Sequence, residues 1–388
     1  MDIKTIEGGT ADRDTTDRTA AHIAATLAYQ VRRDHAPHRL PAQRDAHPKH
    51  HGTVEAELIV DPNIPDALRH GVFATPGRRY QAWIRFSNAF RVRHDMERDA
   101  RGIAIKLLGV NDAIEANGAN GADGEQLTQD FLMVTHSAFF AATATDFLEF
   151  PAAVGSTGPK TAGALRALRF FFRLHPPFRF RFRAFRAFRK TRIRAMSPLA
   201  IRYFSQTPYR LGPHEVKFSV RPAVPPSTAD RFRFWLRTLP WRFRPLSFLK
   251  SSASAASEHF LRDELFRALA SSEVSFDFLV QRRTDPDRMP LDNATVVWSE
   301  RRSPYVKVAT LRLPQQALTA AAIAERLTFS EHLSFTPWHT LAHEPLGSIN
   351  QARRIVYETI STLRHDMNGK RRREPLPGES PADYLRSL

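Results

Sequence analysis

The chain has no cysteine among its 388 residues. Disulfides, thiolate ligation of iron and zinc–thiolate sites are therefore excluded. Nor does any uninterrupted apolar run approach the ~20 residues that a membrane-spanning helix needs. The start, Met1-Asp2-Ile3-Lys4, stays polar through Arg18 and offers no apolar core for a secretory signal. A cytoplasmic protein is the expectation. Acidic residues are scarce beside basic ones, 40 against 57, which leaves a formal net charge of +17. That excess calls for either an anionic partner or a large solvated basic face. At 42% hydrophobic the chain can bury a sizeable core, in one large domain or two.

Much of the positive charge lies between Arg166 and Arg194, where arginine alternates with phenylalanine (Phe178-Arg179-Phe180-Arg181-Phe182-Arg183), and a second patch runs from Arg231 through Arg244. Phe178, Phe182, Phe185 and Phe188 recur at three- to four-residue spacing. That spacing predicts a helical insertion whose phenylalanines pack on the body of the protein while its arginines are solvated. A weak contact with an anionic membrane surface is the alternative use of such a stretch. No nucleic-acid fold motif accompanies the charge, so no nucleic-acid partner is expected.

Near the C-terminus, Pro345 to Tyr357 reads Pro-Leu-Gly-Ser-Ile-Asn-Gln-Ala-Arg-Arg-Ile-Val-Tyr, and Arg364 follows seven residues later. On a helix, Arg353 and Tyr357 are i and i+4 on one face, with Arg364 on the same side two turns on. A tyrosine ordinarily ionises near ~10. A guanidinium beside it favours the phenolate, and a phenolate is a ligand for ferric iron. The plain alternative for such a tyrosine is a surface or core contact. Upstream, Arg44-Asp45-Ala46-His47 precedes the alternating run Thr53 to Val60, which reads as a strand with one wet face. His50 and His51 follow His47 without the carboxylate or cysteine of a zinc pattern, and read as a surface cluster or as strand packing. A third block holds Trp83-Ile84-Arg85-Phe86-Ser87 and Arg98-Asp99-Ala100-Arg101-Gly102-Ile103.

Taken in order, these blocks resemble the catalase superfamily. The spacing Arg-x-x-x-Tyr-x-x-x-x-x-x-Arg is similar to its haem-ligand helix, and the second and third blocks, Arg44–His47 and Trp83–Ile103, to its distal motifs. The later segments Ser205–Gly212, Phe276–Gln281, Val296–Trp298 and Val308–Leu311 resemble the second half of its barrel. The resemblance covers residues 40–370. It implies an α+β fold, an antiparallel β-barrel with peripheral α-helices, carrying one haem b. Tyr357 would ligate the iron and Arg353 would hold the phenolate. Arg44, Arg85 and Arg364 would reach the haem propionates. His47 would be the distal acid–base group, with Ser87 accepting from it, and Asp99 would sit in the channel that admits peroxide. Two positions depart from the family. Ile103 stands where an aromatic is usual. Thr128 aligns, without gaps, with the distal asparagine, so that His136 stands for an aspartate that opens an apolar helix and Phe140 for the aromatic that stacks on the porphyrin.

The function implied is decomposition of hydrogen peroxide or an organic hydroperoxide, as catalase or peroxidase, in the oxidative stress response. The alternatives are rearrangement or dehydration of fatty-acid hydroperoxides, and haem binding without turnover. A homo-oligomer, dimer or tetramer, is expected. The expected division is an N-terminal arm over 1–40 with one helix around Thr19–Arg33, a haem domain over 41–370 with the basic insertion at about 160–200, and a mobile basic tail over 371–388. Asn117 to Gly124 reads as a surface loop.

Overall fold

A computed structural model of the chain describes residues 3–388 apart from 36–39, 45, 90–91, 111–127, 155–169, 174–178, 239–256 and 341–342. The loop expected at Asn117–Gly124, Phe178 of the first basic stretch and Trp241–Arg244 of the second lie outside the described residues.

Eight antiparallel strands close into a barrel: β1 (Lys49–Val60), β2 (Arg79–Asn88), β3 (Asp99–Leu107), β4 (Gln129–Val134), β5 (Tyr203–Phe204), β6 (His214–Pro222), β7 (Val274–Arg282) and β8 (Val306–Leu313). Their pairing order is β7-β8-β1-β2-β3-β4-β5-β6, and β6 returns to β7. Strand periodicity explains the wall. Val54, Ala56, Leu58 and Val60 of β1 point inward and are buried, as are Ile84 and Phe86 of β2 and Ile105 and Leu107 of β3. They meet Phe131, Phe218, Phe276 and Phe278 in one continuous core. Each fully buried aliphatic or aromatic side chain contributes about 1.5–3 kcal/mol. The β1–β2 register shifts between His50 and Gly52. Gly52 there has φ +134°, and a Cβ on it would lie 2.6 Å from the Phe266 ring, so the bulge accepts only glycine without displacing its neighbour.

Helices surround the barrel: α1 (Ile3–Asp34), α2 (Ala144–Val154), α3 (Phe182–Thr191), α4 (Thr228–Thr238), α5 (Phe260–Ser271), α6 (Ala320–His332), α7 (Ser348–Met367) and α8 (Pro381–Arg386). The α+β barrel architecture is the one expected. Helix α1 is longer than its apolar spacing suggests. Its buried stripe, Ala20, Ile23, Ala24, Ala28 and Val31, continues back through Thr16. It packs on Val356 and Ile360 of α7. The N-terminus of α7 is held from outside, because Asp292 accepts from the Ser348 N–H at 2.7 Å and from its hydroxyl at 2.5 Å. A carboxylate at that end also complements the helix dipole.

The basic tail departs from the expectation of mobility. Tyr384 is fully buried, edge-on to Phe329 with ring centroids 5.0 Å apart, and its hydroxyl donates to Arg373 O at 2.9 Å. Glu374 reaches the fully buried Lys106 at 2.6 Å. A long-range apolar anchor and a buried ion pair, neither visible in local composition, hold the segment down. Tyr384→Ala is therefore expected to cost about 3–5 kcal/mol, the range for removing a buried aromatic. Urea unfolding measures it, and a loss under 1 kcal/mol would mean that the tail frays in solution.

Two histidines inside this framework set a pH limit. Burial pushes His51 and His343 down to about 3. The unfolded chain takes up these protons near the ordinary ~6.5, so it binds more protons than the fold in that window. Stability should be fully present above about pH 6.5 and fall as pH drops toward about 3. Urea midpoints measured across that range check it, and a midpoint that rises on acidification contradicts it.

Candidate active site

A cavity of about 690 Å³ lies on the outer side of the barrel, where β2, β3 and β4 are roofed by α1 and α7. Strand alternation builds its floor. With Ile84 and Phe86 directed inward, Arg85 and Ser87 must point outward, and both line the cavity. On β3 the same parity brings Ala100, Gly102 and Ala104 to the cavity.

His47 is seated on this floor. Its backbone is left-handed, φ 58°. The N–H donates to Ala89 O at 2.9 Å, and its carbonyl accepts from Arg85 Nη2 at 2.9 Å. The ring lies against bare backbone at Gly102, where a Cβ would sit 2.5 Å from its Cε1 and 2.7 Å from its Nδ1. Ser87 Oγ is 2.9 Å from Nδ1. Register explains the meeting, since Gly102 pairs directly with Ser87. Burial, and then the charges of Arg85, Arg353 and Arg44, hold the imidazole down to about 3. It is thus neutral near pH 7. Gln206 is the other non-glycine residue with positive φ among the described residues, at 62°. It too lines the cavity, and its amide donates to Ala138 O at 2.8 Å. Uncommon backbone conformations of this kind concentrate at functional sites.

Helix α7 supplies a second wall with Ile349, Ala352, Arg353, Val356 and Tyr357. Arg353 Nη2 donates to the Tyr357 hydroxyl at 3.1 Å, and its guanidinium carbon lies 5.0 Å from the ring centroid. Its Nη1 donates to Asn350 Oδ1 at 3.2 Å. Asn350 is fully buried. Its Nδ2 donates to Pro208 O and Leu346 O, and its Oδ1 also accepts from Thr207. Burial opposes the charge of Arg353, but Tyr357 and Tyr209 beside it raise its pKa above the ordinary value. Phe140 lines the cavity within a cluster of Phe139, Phe147 and Phe188.

Three arginines converge on the C-terminal turn of α6. Arg44 donates to Ser330 O at 3.0 Å and to Leu333 O. Arg85 Nε donates to Ser330 Oγ at 3.1 Å. Arg364 donates to Glu331 O and, at 3.4 Å, to Leu333 O. Cations at the negative end of a helix are favourable. The Glu331 carboxylate lies among them, 3.0 Å from His50 Nε2 and 3.6 Å from Arg44. Burial works against its charge, but the His50 hydrogen bond and Arg44 hold it well below the usual carboxylate range.

The cavity therefore brings together His47, Ser87, Arg44, Arg85, Phe140, Arg353 and Tyr357. Arg364 lies one layer back, completely buried beside the α6 terminus, and does not line it. Two expectations are corrected. Thr128 does not stand over the cavity. Its hydroxyl accepts from Lys106 Nζ at 3.3 Å in the Lys106–Asp130 ion pair. The β3–β4 register places Val134 beside Gly102 and Gln129 beside Leu107. Thr128 is thus six residues along the strand from Val134, roughly 20 Å from Gly102 at ~3.3 Å per residue. The ungapped alignment fails because the apolar helix opens at Ala144, with Asp146 rather than His136 in its first turn. Asp99 does not line the cavity either. It shares the parity of Arg101, away from the cavity. One carboxylate oxygen accepts from the Ala100 N–H at 2.8 Å, and the other is buried without a hydrogen bond.

Sequence reading missed Asn350, Tyr209, Gln206 and Glu331. Asn350 was accessible, being three residues before Arg353 on the same helix face. Glu331 and Tyr209 reach the site only through long-range packing and leave no local signal. His51 is strand packing, as expected, with Nε2 2.8 Å from Asn88 Oδ1. His50 instead joins Glu331.

The seating of His47 is testable by stability alone. Gly102→Ala forces the ring off its place, and overpacking of this kind costs about 1–3 kcal/mol. An unchanged denaturation midpoint would show that the ring does not rest there.

No family model matches the chain, and no curated protein matches it. Solved structures do. Catalase A from Saccharomyces cerevisiae is 17% identical, with a TM-score of 0.56 over 88% of this chain and 64% of that one. A fungal catalase is 16% identical, with a TM-score of 0.53 over 88% and 61%. A bacterial catalase is 13% identical, with a TM-score of 0.55 over 89% and 63%. The chain spans 61–64% of the length of these catalases. At such identities the likeness is one of fold, and the fold of this chain is catalase-like.

Proposed function

We propose that the chain is a haem-dependent enzyme that decomposes peroxides. The observation that carries this reading is that a tyrosine held by an arginine and a neutral, anchored imidazole line the walls of one cavity. Its residues fit haem b. The lining is mostly apolar, the volume is in the range of cofactor pockets of about 300–1,000 Å³, and Arg44 and Arg85 supply charge for two carboxylates. Bound haem would supply an iron centre able to bind peroxide and exchange electrons with it.

This chain's residues would do the rest. The Tyr357 oxygen, fixed by Arg353, would be the iron ligand. Phe140 would pack on the ring. Arg44 and Arg85 would hold the propionates, with Arg364 behind them. His47 has Nδ1 engaged by Ser87, which leaves Nε2 to exchange protons. It would take the proton from one peroxide oxygen and return it to the other as that oxygen departs. The substrate would be hydrogen peroxide or an organic hydroperoxide, and the setting an oxidative stress response. A homo-oligomeric assembly belongs to the same proposal.

A second reading is rearrangement or dehydration of a fatty-acid hydroperoxide at the same haem. The apolar lining favours it, as does the absence of Thr128, or of any side chain in its place on β4, as a second donor beside His47.

A Soret spectrum of haem-reconstituted protein tests the proposal. Tyr357→Phe should lose haem or change the spectrum, and an unaltered spectrum removes Tyr357 as ligand. His47→Ala should retain the spectrum while slowing reaction with peroxide by at least ~10²-fold. The wild-type rate should show no decline centred near pH ~6.5, because the base form of His47 persists down to about 3. Product analysis with hydrogen peroxide and with a fatty-acid hydroperoxide separates the two readings. Haem uptake without turnover of either would mean a haem carrier.

A further inference from the structure

The basic insertion takes no part in the cavity chemistry, yet it is built in a specific way. Helix α3 is ten residues long and has two distinct sides. Ala184, Ala187 and Thr191 are buried. Phe185 and Phe188 are half-buried against Phe171, at 5.5 and 5.3 Å between ring centroids. The other side carries Phe182, Arg183, Arg186, Arg189 and Lys190, all exposed. None of these four cations forms an ion pair with an acidic side chain among the described residues. Arg181, just before the helix, contrasts with them by pairing with Asp146 at 2.9 Å and Glu149 at 3.0 Å.

At the start of the helix two aromatic rings are left in water. Phe180 is 50% exposed and Phe182 56% exposed, with centroids 5.7 Å apart. Phe180 is braced from behind by Phe172, stacked at 4.6 Å. A paired strand, Phe172–Arg173 with Arg179–Phe180, presents this tip. The expectation that Phe182 packs on the body of the protein is thereby corrected; among the described residues of that set, Phe185 and Phe188 are the packed ones, against Phe171 and Phe140.

We propose that this face docks on an anionic phospholipid bilayer, with the four cations against the headgroups and Phe180 and Phe182 inserted at the level of the upper acyl chains. Cations near an anionic leaflet and aromatic rings at its boundary are the two ingredients of reversible peripheral binding. Charge complementarity selects the occupant. The face is entirely cationic, and the chain carries a net +17. A nucleic acid fits less well. The face has no amide or hydroxyl side chain to read base edges, and the two exposed rings are tilted by 59°, so they form no flat shelf for stacked bases. Docking also has a consequence for the cavity. The helix runs from Phe182 at the tip to Thr191, which lines the cavity. Thr191 directly follows Lys190, so a molecule docked along this face holds one wall of the cavity about one helix diameter, roughly 10–12 Å, from the headgroups.

Vesicle co-sedimentation of the full chain tests this without haem, so its failure leaves the peroxide reading untouched. Binding is expected to phosphatidylcholine vesicles containing about a third phosphatidylglycerol, not to phosphatidylcholine alone, and it should weaken as salt is raised from roughly 0.05 to 0.5 M. Arg183→Gln with Arg186→Gln should lower the partition at least about tenfold, while Arg183→Lys with Arg186→Lys restores it. Phe180→Ser with Phe182→Ser should lower it in a salt-insensitive way. Far-UV circular dichroism should be unchanged in all of them, since every position is exposed. Equal binding to neutral and anionic vesicles, undiminished binding by the glutamine variant, or preferential retention on DNA at the same ionic strength would each overturn the proposal.

Discussion

Strands β2 and β3 are covered on both sides, and the period of two along them decides everything built on their outer face. Ile84 and Phe86 belong to the barrel core, so Arg85 and Ser87 cannot. A slip of one residue would drive a guanidinium into the core and an aromatic ring into the cavity. The apolar residues inside thus fix the chemistry outside. Gly102 extends the same logic across the β2–β3 pairing: opposite Ser87, it must carry no side chain for the His47 ring to lie flat against the strand.

Charge is arranged with similar economy at the other end of the cavity. Arg44, Arg85 and Arg364 repel one another and are all substantially buried. Burial and Arg44 together push the Arg85 guanidinium well below its ordinary value. The cluster is tolerated because the C-terminal carbonyls of α6 and the Glu331 carboxylate face it. His50 bonds to Glu331 and so couples the cluster to β1. The residual positive character is what would let an incoming dianionic cofactor displace carbonyl partners rather than meet an already neutral wall.

What the sequence disclosed depended on the range over which each feature is determined. Arg353 and Tyr357 are four residues apart on one helix, and local geometry alone brings them together. Arg85 and Ser87 were marked by the family resemblance, and strand parity then puts both on one face. Thr128 was misplaced because its position depends on the β3–β4 register, across the stretch 111–127, and an ungapped comparison carries no information on register. The tail was misjudged because Lys370 to Arg373 look solvated in isolation, whereas Tyr384 and Glu374 find partners more than fifty residues away. In α3 the spacing of phenylalanines located a helix, but spacing alone assigned Phe182 to the buried side. Ala184, Ala187 and Thr191 take that side instead.

The loss of Thr128 from the cavity changes what the remaining groups must do. In the proposed reaction His47 would be the proton-exchanging side chain beside Ser87, while Gln206, the nearby amide, has its N–H group committed to Ala138 O. Under the proposed reading, a substrate in this cavity would be oriented less by hydrogen bonds than by shape and apolar contact with lining residues such as Val134 and Met133. Hydrogen bonds discriminate sharply between small polar molecules, whereas an apolar wall discriminates weakly, by about 1–3 kcal/mol for each methylene. Such a site gains more binding from each carbon of a hydroperoxide than from its oxygens. That asymmetry would, under the proposed reading, favour organic hydroperoxides over hydrogen peroxide, which offers an apolar wall nothing to hold.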